Sequence, residues 1–357
     1  MVILHIACIN NDFCKGVCVA VPQHIIAQSK YAEVGFINVN NEQILNIENQ
    51  FKYEKEKSSI ENLPAPFNKP DLVIFHEVYR LAFLTILREI KEKNIPYVIV
   101  PHGCLTIEAQ KNKKIKKIIG NKFLFNNFIH SSAALQCLSE QERNRIRFNV
   151  KKIISGNGTE KSIEIKNKFN EGSVSFVFIG RIDIRIKGLD ILVNAISLIA
   201  DFLRKKNAKF CIAGSVNGDD SKKLKQLIMK LHISDIVRII DAVKGKEKQK
   251  LLLESDIFLL TSRTEGMPMG IIEALNYGVP CLVTKGTSVK ELIESNDVGW
   301  GCETNVESLS HALKISILER NNWEQKSKNA QQLMQEQFRW ENIAKKTIQI
   351  YSNLITG

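Results

Sequence analysis

The chain has 357 residues, 44% of them hydrophobic and 25% charged, the balance of a soluble globular protein and too long for one ordinary domain. Only 8 prolines and 19 glycines exclude a fibrous or disordered chain. Net charge is +12, from 50 Lys and Arg against 38 Asp and Glu, which favours an anionic partner. The excess divides evenly at residue 160 and Lys outnumbers Arg 38 to 12, so no basic arm marks a nucleic-acid binder.

The N-terminal MVILHIACINNDF lacks a basic n-region and reads as a first buried strand, not a secretory leader. Further short apolar runs follow at 34–39, 71–75, 96–101, 133–139 and 151–158. Between them YRLAFLTILREIKEKN (79–94) places apolar residues at 81, 83, 84, 87 and 90, which predicts a helix. Continuous apolar strands separated by helices predict a parallel sheet covered on both faces. After the polar stretch 158–172 the pattern restarts, with runs at 175–180, 209–214, 237–241, 256–262 and 279–284 and one helix over 188–206. A last helix over roughly 323–355 has no strand after it and would pack back across the first unit. The expected fold is α/β, with two doubly wound, Rossmann-like domains at 1–160 and 161–335 and a C-terminal helix, 336–357, on the first. Ligands in such sheets bind outside the carboxyl ends of strands, so two facing sheets would make one cleft.

No apolar stretch reaches the ~18 residues of a membrane span. The eight cysteines, at 8, 14, 18, 104, 137, 211, 281 and 302, form no Cys-x-x-Cys pair and sit mostly in apolar runs. That pattern predicts a reducing compartment without disulfides or a zinc site. The expected location is the cytoplasm or the inner face of the cell membrane.

Two segments carry chemistry. In SRTEGMPMGIIEALNYGVP (262–280) a buried strand ends at Ser262, and Pro268 stands where a helix would start, suited to the first turn because its missing N–H was unpaired anyway. The amides of Gly266, Met267 and Met269 would then offer an anion or hydroxyl site. Glu265 and Glu273 bracket the turn, and a carboxylate accepts two hydrogen bonds at once, which suits the vicinal hydroxyls of a sugar or ribose. A helix cap at 265 and a solvated helix face at 273 would account for the same glutamates structurally. In FVFIGRIDIRIKGLDIL (176–192), Arg181 follows a strand and Gly180, and Lys187 precedes a helix. Two cations there would neutralise a leaving diphosphate without a metal; a solvated basic loop is the structural alternative. No Asp-x-Asp triplet or His–Cys cluster suggests metal ligands, so no metal or other cofactor is expected.

These residues resemble glycosyltransferase family four. The resemblance rests on Gly180-Arg181, Lys187-Gly188, the Glu265/Glu273 pair, Pro101-His102-Gly103, Gly156-Asn157-Gly158 and FRWENIAKKTIQIY (338–351), and it covers essentially the whole chain. It implies the GT-B fold and a retaining transferase that uses a nucleotide sugar. Arg181 and Lys187 would hold the donor diphosphate. Glu265 with Gly266, Met267, Pro268 and Met269 would bind donor-sugar hydroxyls, and Glu273 the ribose. His102 would lie near the donor sugar, and Gly16 would belong to the glycine loop near the phosphates, although this chain has a single glycine before Val17 where many members have consecutive ones. The base would lie against the loops after the second-domain strands, around Gly214 and Ala242, Val243 and Lys244; UDP is expected only as the commonest donor type.

From Ala109 to Ser139 there is no acidic residue, while Lys111, Lys113, Lys114, Lys116, Lys117 and Lys122 alternate with Ile115, Ile118, Ile119, Phe123, Leu124, Phe125 and Phe128. This composition suits an interfacial helix on anionic lipid, beside a lipid-linked acceptor. It equally suits an amphipathic helix packed on the sheet with its lysines in water. No groove-reading fold accompanies it, so nucleic acid is not an expected partner. The sequence thus predicts transfer of a sugar from a nucleotide sugar to a glycan, most plausibly a lipid-linked oligosaccharide in surface polysaccharide assembly. A GT-B sugar-nucleotide epimerase, or a catalytically silent scaffold on the membrane face, remains the alternative.

Overall fold

The computed structural model describes residues 1–11, 16–54, 59–111, 114–162, 164–215 and 218–356. Among the described residues there are thirteen strands, eleven of them at the expected apolar runs. In the first unit these are β1 (Val2–Ala7), β2 (Glu33–Asn38), β3 (Gln50–Lys52), β4 (Leu72–His76), β5 (Tyr97–Val100), β6 (Ala134–Cys137) and β7 (Lys152–Ile154). They pair in the order β3-β2-β1-β4-β5-β6-β7, all parallel. In the second unit β8 (Val174–Ile179), β9 (Ala208–Ala213), β10 (Val237–Ile240), β11 (Ile257–Leu260), β12 (Cys281–Thr284) and β13 (Gly299–Cys302) pair in the order β10-β9-β8-β11-β12-β13, again all parallel.

The interior strands β4, β6, β11 and β12 are buried along their whole length, which explains their largely apolar sequences. Edge strands β3 and β7 are only half-buried. The sequence pattern missed two edge strands: β3 is three residues, QFK, and β13 is GWGC, whose glycines hide it from any propensity argument. The expected helix over 188–206 is two, Leu189–Leu198 and Ala200–Lys205, broken at Ile199, which leaves helical backbone angles (φ −122°, ψ 22°).

The two compact units are Met1–Gly158 with Trp340–Gly357, and Thr159–Arg339. The chain passes between them at positions two to four residues from the expected 160/161 and 335/336. The Thr159 amide donates to the Phe338 carbonyl (2.7 Å) and Thr159 bridges to Arg339, so both passages run side by side at the edge of the second unit. The single last helix expected over 323–355 is accordingly two, Trp323–Gln337 in the second unit and Trp340–Thr356 in the first. The latter packs on the helix Gly16–Gln28. Trp340 donates from Nε1 to Gln23 Oε1 (3.0 Å) and Tyr351 is fully buried. Gly158 allows that packing, because a Cβ there would stand 2.9 Å from the Trp340 ring.

The polar joint 158–172 is tied to the second unit. Lys166 pairs with the fully buried Asp256 at 3.7 Å, and Asp256 also accepts the amides of Asn170 (3.0 Å) and Ser175 (2.9 Å). Cys8, Cys18, Cys104, Cys137, Cys211, Cys281 and Cys302 are free thiols, and Cys14 lies outside the described residues. No helix among the described residues is long and apolar enough to cross a membrane.

Candidate active site

In the second sheet the strand order reverses between β8 and β11, and a doubly wound sheet opens its binding crevice where neighbouring connections run to opposite faces. Both chemistry-bearing segments begin there. The loop leaving β8 starts with Gly180, whose amide donates to the Ala213 carbonyl (3.0 Å). Asp183 then shapes the turn: its Oδ1 accepts the Ile186 amide (2.8 Å) and its carbonyl the Lys187 amide (3.0 Å). Gly188 closes the turn in the left-handed region (φ 63°) as the N-cap of the helix Leu189–Leu198. A Cβ on Gly188 would lie 2.1 Å from the Thr261 carbonyl oxygen, so only glycine allows the two loops to meet.

The loop leaving β11 is fastened onto this turn. Thr261 Oγ1 donates to the Lys187 carbonyl (2.9 Å) and the Arg263 amide to the Ile186 carbonyl (2.8 Å). The Arg263 guanidinium grips Asp190 through two bonds of 2.7 Å. These bonds bring Lys187 Nζ to 2.5 Å from Glu265 Oε1, which also accepts the Ser262 hydroxyl at 2.7 Å. From the other side the Glu265 amide donates to the Gly286 carbonyl (3.0 Å) and Ser288 Oγ to the Glu265 carbonyl (2.7 Å). Lys187 and Glu265, 78 residues apart, are thus one ion pair whose side chains keep under a fifth of their surface exposed.

Arg181 stands beside this pair in the chain with half of its side chain exposed, contacting Asp183 at 3.3 Å. Gly266, Met267, Pro268 and Met269 are buried. Pro268 is the N-cap of the helix Met269–Asn276, with extended backbone (φ −75°, ψ 122°), and not its first helical residue as expected. Its carbonyl accepts the Ile271 amide (3.1 Å), which fixes the helix start. Glu273, on that helix, forms an ion pair with Lys248 of the helix Gly245–Glu254. A ribose would therefore meet a glutamate already partnered by a lysine the sequence did not single out.

Gly214, Ala242, Val243 and Lys244 lie at the carboxyl ends of β9 and β10. A Cβ on Gly214 would meet the Gly180 carbonyl at 2.3 Å, so this glycine lets the β8 loop pass close. Lys244 is the N-cap of the helix Gly245–Glu254, and Asp241 Oδ1 accepts the Ala242 amide (2.8 Å).

His102 and Gly16 belong to the first unit. Gly16 is the first residue of the helix Gly16–Gln28, and a Cβ there would touch nothing within 4 Å. Residues 12–15 before it lie outside the described residues. His102 follows β5 in the left-handed region (φ 50°). Its turn is held by Glu142, which is fully buried and accepts the amides of Gly103 and Leu138, both at 2.6 Å. Burial pushes the Glu142 carboxyl up to about 7, and the two amides oppose the shift.

A chain of rings runs from His102 into the core. His102 Nε2 bonds His76 Nδ1 (3.0 Å), His76 Nε2 bonds His5 Nδ1 (2.8 Å), and His5 Nε2 bonds Gln28 Oε1 (3.1 Å). Its direction is set from the far end. Gln136 Nε2 donates to the Ser155 carbonyl (3.1 Å), so Gln136 Oε1 accepts the Tyr351 hydroxyl. At the inner end the ring chain stops on Gln28 Oε1, a carbonyl oxygen that can only accept, so His5 donates to it from Nε2–H. Each imidazole then donates through Nε2–H and accepts at Nδ1, and His102 keeps an unprotonated Nδ1 as an acceptor. Burial holds His5 and His102 down to about 3 and His24 to about 4, and His76 well below the ordinary histidine range.

Two parallel Rossmann-like sheets, with a basic and acidic pair at the switch point of the second, define a GT-B glycosyltransferase fold. A structure of HepE from Anabaena in complex with UDP has the same architecture, with a TM-score of 0.72 at 16% identity over 99% of this chain and 100% of that one. Residues 159–333 match the family described as glycosyl transferases group 1, so the second unit is a domain of that family. It is similar to the N-acetyl-alpha-D-glucosaminyl L-malate synthase of Bacillus anthracis, 29% identical over 45% of this chain and 42% of that protein. It is also similar to the amylovoran biosynthesis glycosyltransferase AmsK of Erwinia amylovora, 26% identical over 64% of this chain and 57% of that one. The matches span about half the length of these curated relatives.

Proposed function

We propose that the protein is a retaining glycosyltransferase that moves a sugar from a nucleoside diphosphate donor to a glycan acceptor without a metal. The observation that carries this reading is the Lys187–Glu265 pair at 2.5 Å, at the switch point of the second sheet and one loop from Arg181. Arg181 and Lys187 take up the negative charge that develops on the leaving diphosphate. Lys187 and the Ser262 hydroxyl position Glu265, and its carboxyl oxygens hold the donor-sugar hydroxyls. Transfer proceeds on the front face: the bond from the anomeric carbon to the diphosphate oxygen breaks, and the acceptor oxygen bonds that carbon from the same side. The acceptor proton passes to the departing diphosphate, so neither glutamate is a covalent nucleophile.

UDP is the donor nucleotide in this reading, supported by the UDP-bound HepE structure. A lipid-linked oligosaccharide in surface polysaccharide assembly is the acceptor, supported by the name of AmsK. A melting series with UDP, GDP and ADP assigns the base, since a ligand of the folded state raises the melting temperature by mass action. Glu265→Gln keeps the hydroxyl contacts of one oxygen and loses the charge paired with Lys187. Transfer should fall by about 100-fold or more, on the scale of losing one transition-state partner, while the melting temperature stays close to that of the parent. Undiminished transfer by the purified variant would overturn the assignment.

A further inference from the structure

Among the described residues, five of the twelve exposed large hydrophobic side chains lie within ten consecutive positions of the first unit: Ile115, Ile118, Ile119, Phe123 and Leu124, each 45–74% exposed. The helical segment here is Lys114–Gly120, then a π-turn over Asn121–Phe125, then Asn126–His130. Phe125, Phe128 and Ile129 face the core. Counted back from them at 3.6 residues per turn, an uninterrupted α-helix would turn Ile118 inward. The π-turn, closed by the Asn126 amide on the Asn121 carbonyl, inserts an extra residue and rotates the preceding turns. Lys117 comes inward instead, donating to the Ala109 carbonyl (2.6 Å) and lying 5.2 Å over the Tyr79 ring. Ile118 goes out with Ile115 and Ile119.

The outward face therefore combines apolar side chains with the exposed Lys111, Lys114, Lys116 and Lys122, the last 5.6 Å over the Phe123 ring. Lys113 lies outside the described residues. No acidic side chain occurs between Ala109 and Ser139 to neutralise this charge. We propose that this face docks on an anionic lipid surface, with Ile115, Ile118, Ile119, Phe123 and Leu124 entering the acyl boundary and the four outward lysines meeting headgroup phosphates. A rotated helix that exposes isoleucines and draws a lysine inward works against solubility, and a surface that is both apolar and negatively charged removes that conflict. Lys117 is excluded from the lysines that touch lipid, which corrects the expectation from composition.

The inference stands apart from the transfer reaction, because docking is read with the full chain and vesicles, without donor or acceptor. The protein should sediment with vesicles of phosphatidylcholine and phosphatidylglycerol, and bind vesicles of phosphatidylcholine alone about tenfold or more weakly. Raising NaCl from 0.1 to 0.5 M should reduce the bound fraction several-fold. The double variant Ile118→Ser, Phe123→Ser should lose docking at an unchanged melting temperature, since both side chains are exposed. Phe123→Trp should shift its emission to the blue on anionic vesicles only. Equal binding to both lipids, retention by the double variant, or an unshifted tryptophan would each overturn the proposal. So would self-association that the double variant abolishes, which would give the face to a second copy of the chain.

Discussion

At the scale of single residues, the first unit holds a polarised chain of side chains that ends at His102. Its direction follows from one amide oxygen, Gln28 Oε1, passed through His5 and His76. Nitrogen-15 NMR at pH 7 should find His5, His76 and His102 neutral and protonated on Nε2. His76→Phe removes the acceptor of the His102 proton, and His102 should then populate both tautomers. A parent His102 protonated on Nδ1 would contradict the derived direction. His102 was legible as part of Pro101-His102-Gly103, but its ring partners lie 26 positions away and, for His5 from His76, a further 71. No local signal in the sequence joins them, because parallel pairing of β1, β4 and β5 brings them to one end of the sheet. Glu142 escaped notice for the same reason: it braces the histidine turn from another helix.

At the scale of elements, the site is two loops laced together where the second sheet reverses. Arg181, Lys187, Glu265 and Glu273 could be singled out from the strand ends that precede them, since a run of apolar residues followed by Gly or Ser marks where a buried strand emerges. The pairing of Lys187 with Glu265, and of Glu273 with Lys248, depends on which loops the strand order makes neighbours. Gly188 is where that lacing is most constrained. Gly188→Ala must both hold φ 63° and move a backbone oxygen 2.1 Å from its Cβ. It should lower stability by more than about 1 kcal/mol, read by urea denaturation, and weaken donor binding by displacing Lys187. Parent-like stability would show that the two loops do not need to touch. The π-turn belongs to this scale as well: composition displayed the lysines and isoleucines of 111–124, but the one-residue phase change decided which of them face out.

At the scale of the whole molecule, charge and pH act mainly through the first unit. Its four buried histidines have folded values far below their ordinary 6.5, because burial disfavours the charged ring. Their stabilisation is complete above pH 6.5 and is lost as pH falls below it, because the unfolded chain takes up protons that the folded chain refuses. Glu142 acts oppositely: its folded value of about 7 lies above its ordinary 4.5, so its stabilisation is present at low pH and lost as pH rises through that window. Four protons against one leave a net uptake of about three on unfolding near pH 5.5. Chemical denaturation should show stability rising with that slope near pH 5.5 and levelling off toward pH 7, and His24→Gln should reduce the slope near pH 5.5 by about one proton. A flat or falling profile would mean the histidines are not buried as a group.

The sequence by itself determined the alternation of apolar strands and helices, the two parallel-sheet units and the family motifs. These follow from short-range rules: periodicity, strand length, and turn residues at strand ends. Only the tertiary structure decided where the last helix breaks, that Lys187 and Glu265 are one pair, that a histidine chain sets the His102 proton, and that Lys117 faces in while Ile118 faces out. Each of these rests on contacts between residues distant in the chain or on a shift of helical phase, and neither leaves a local trace in composition.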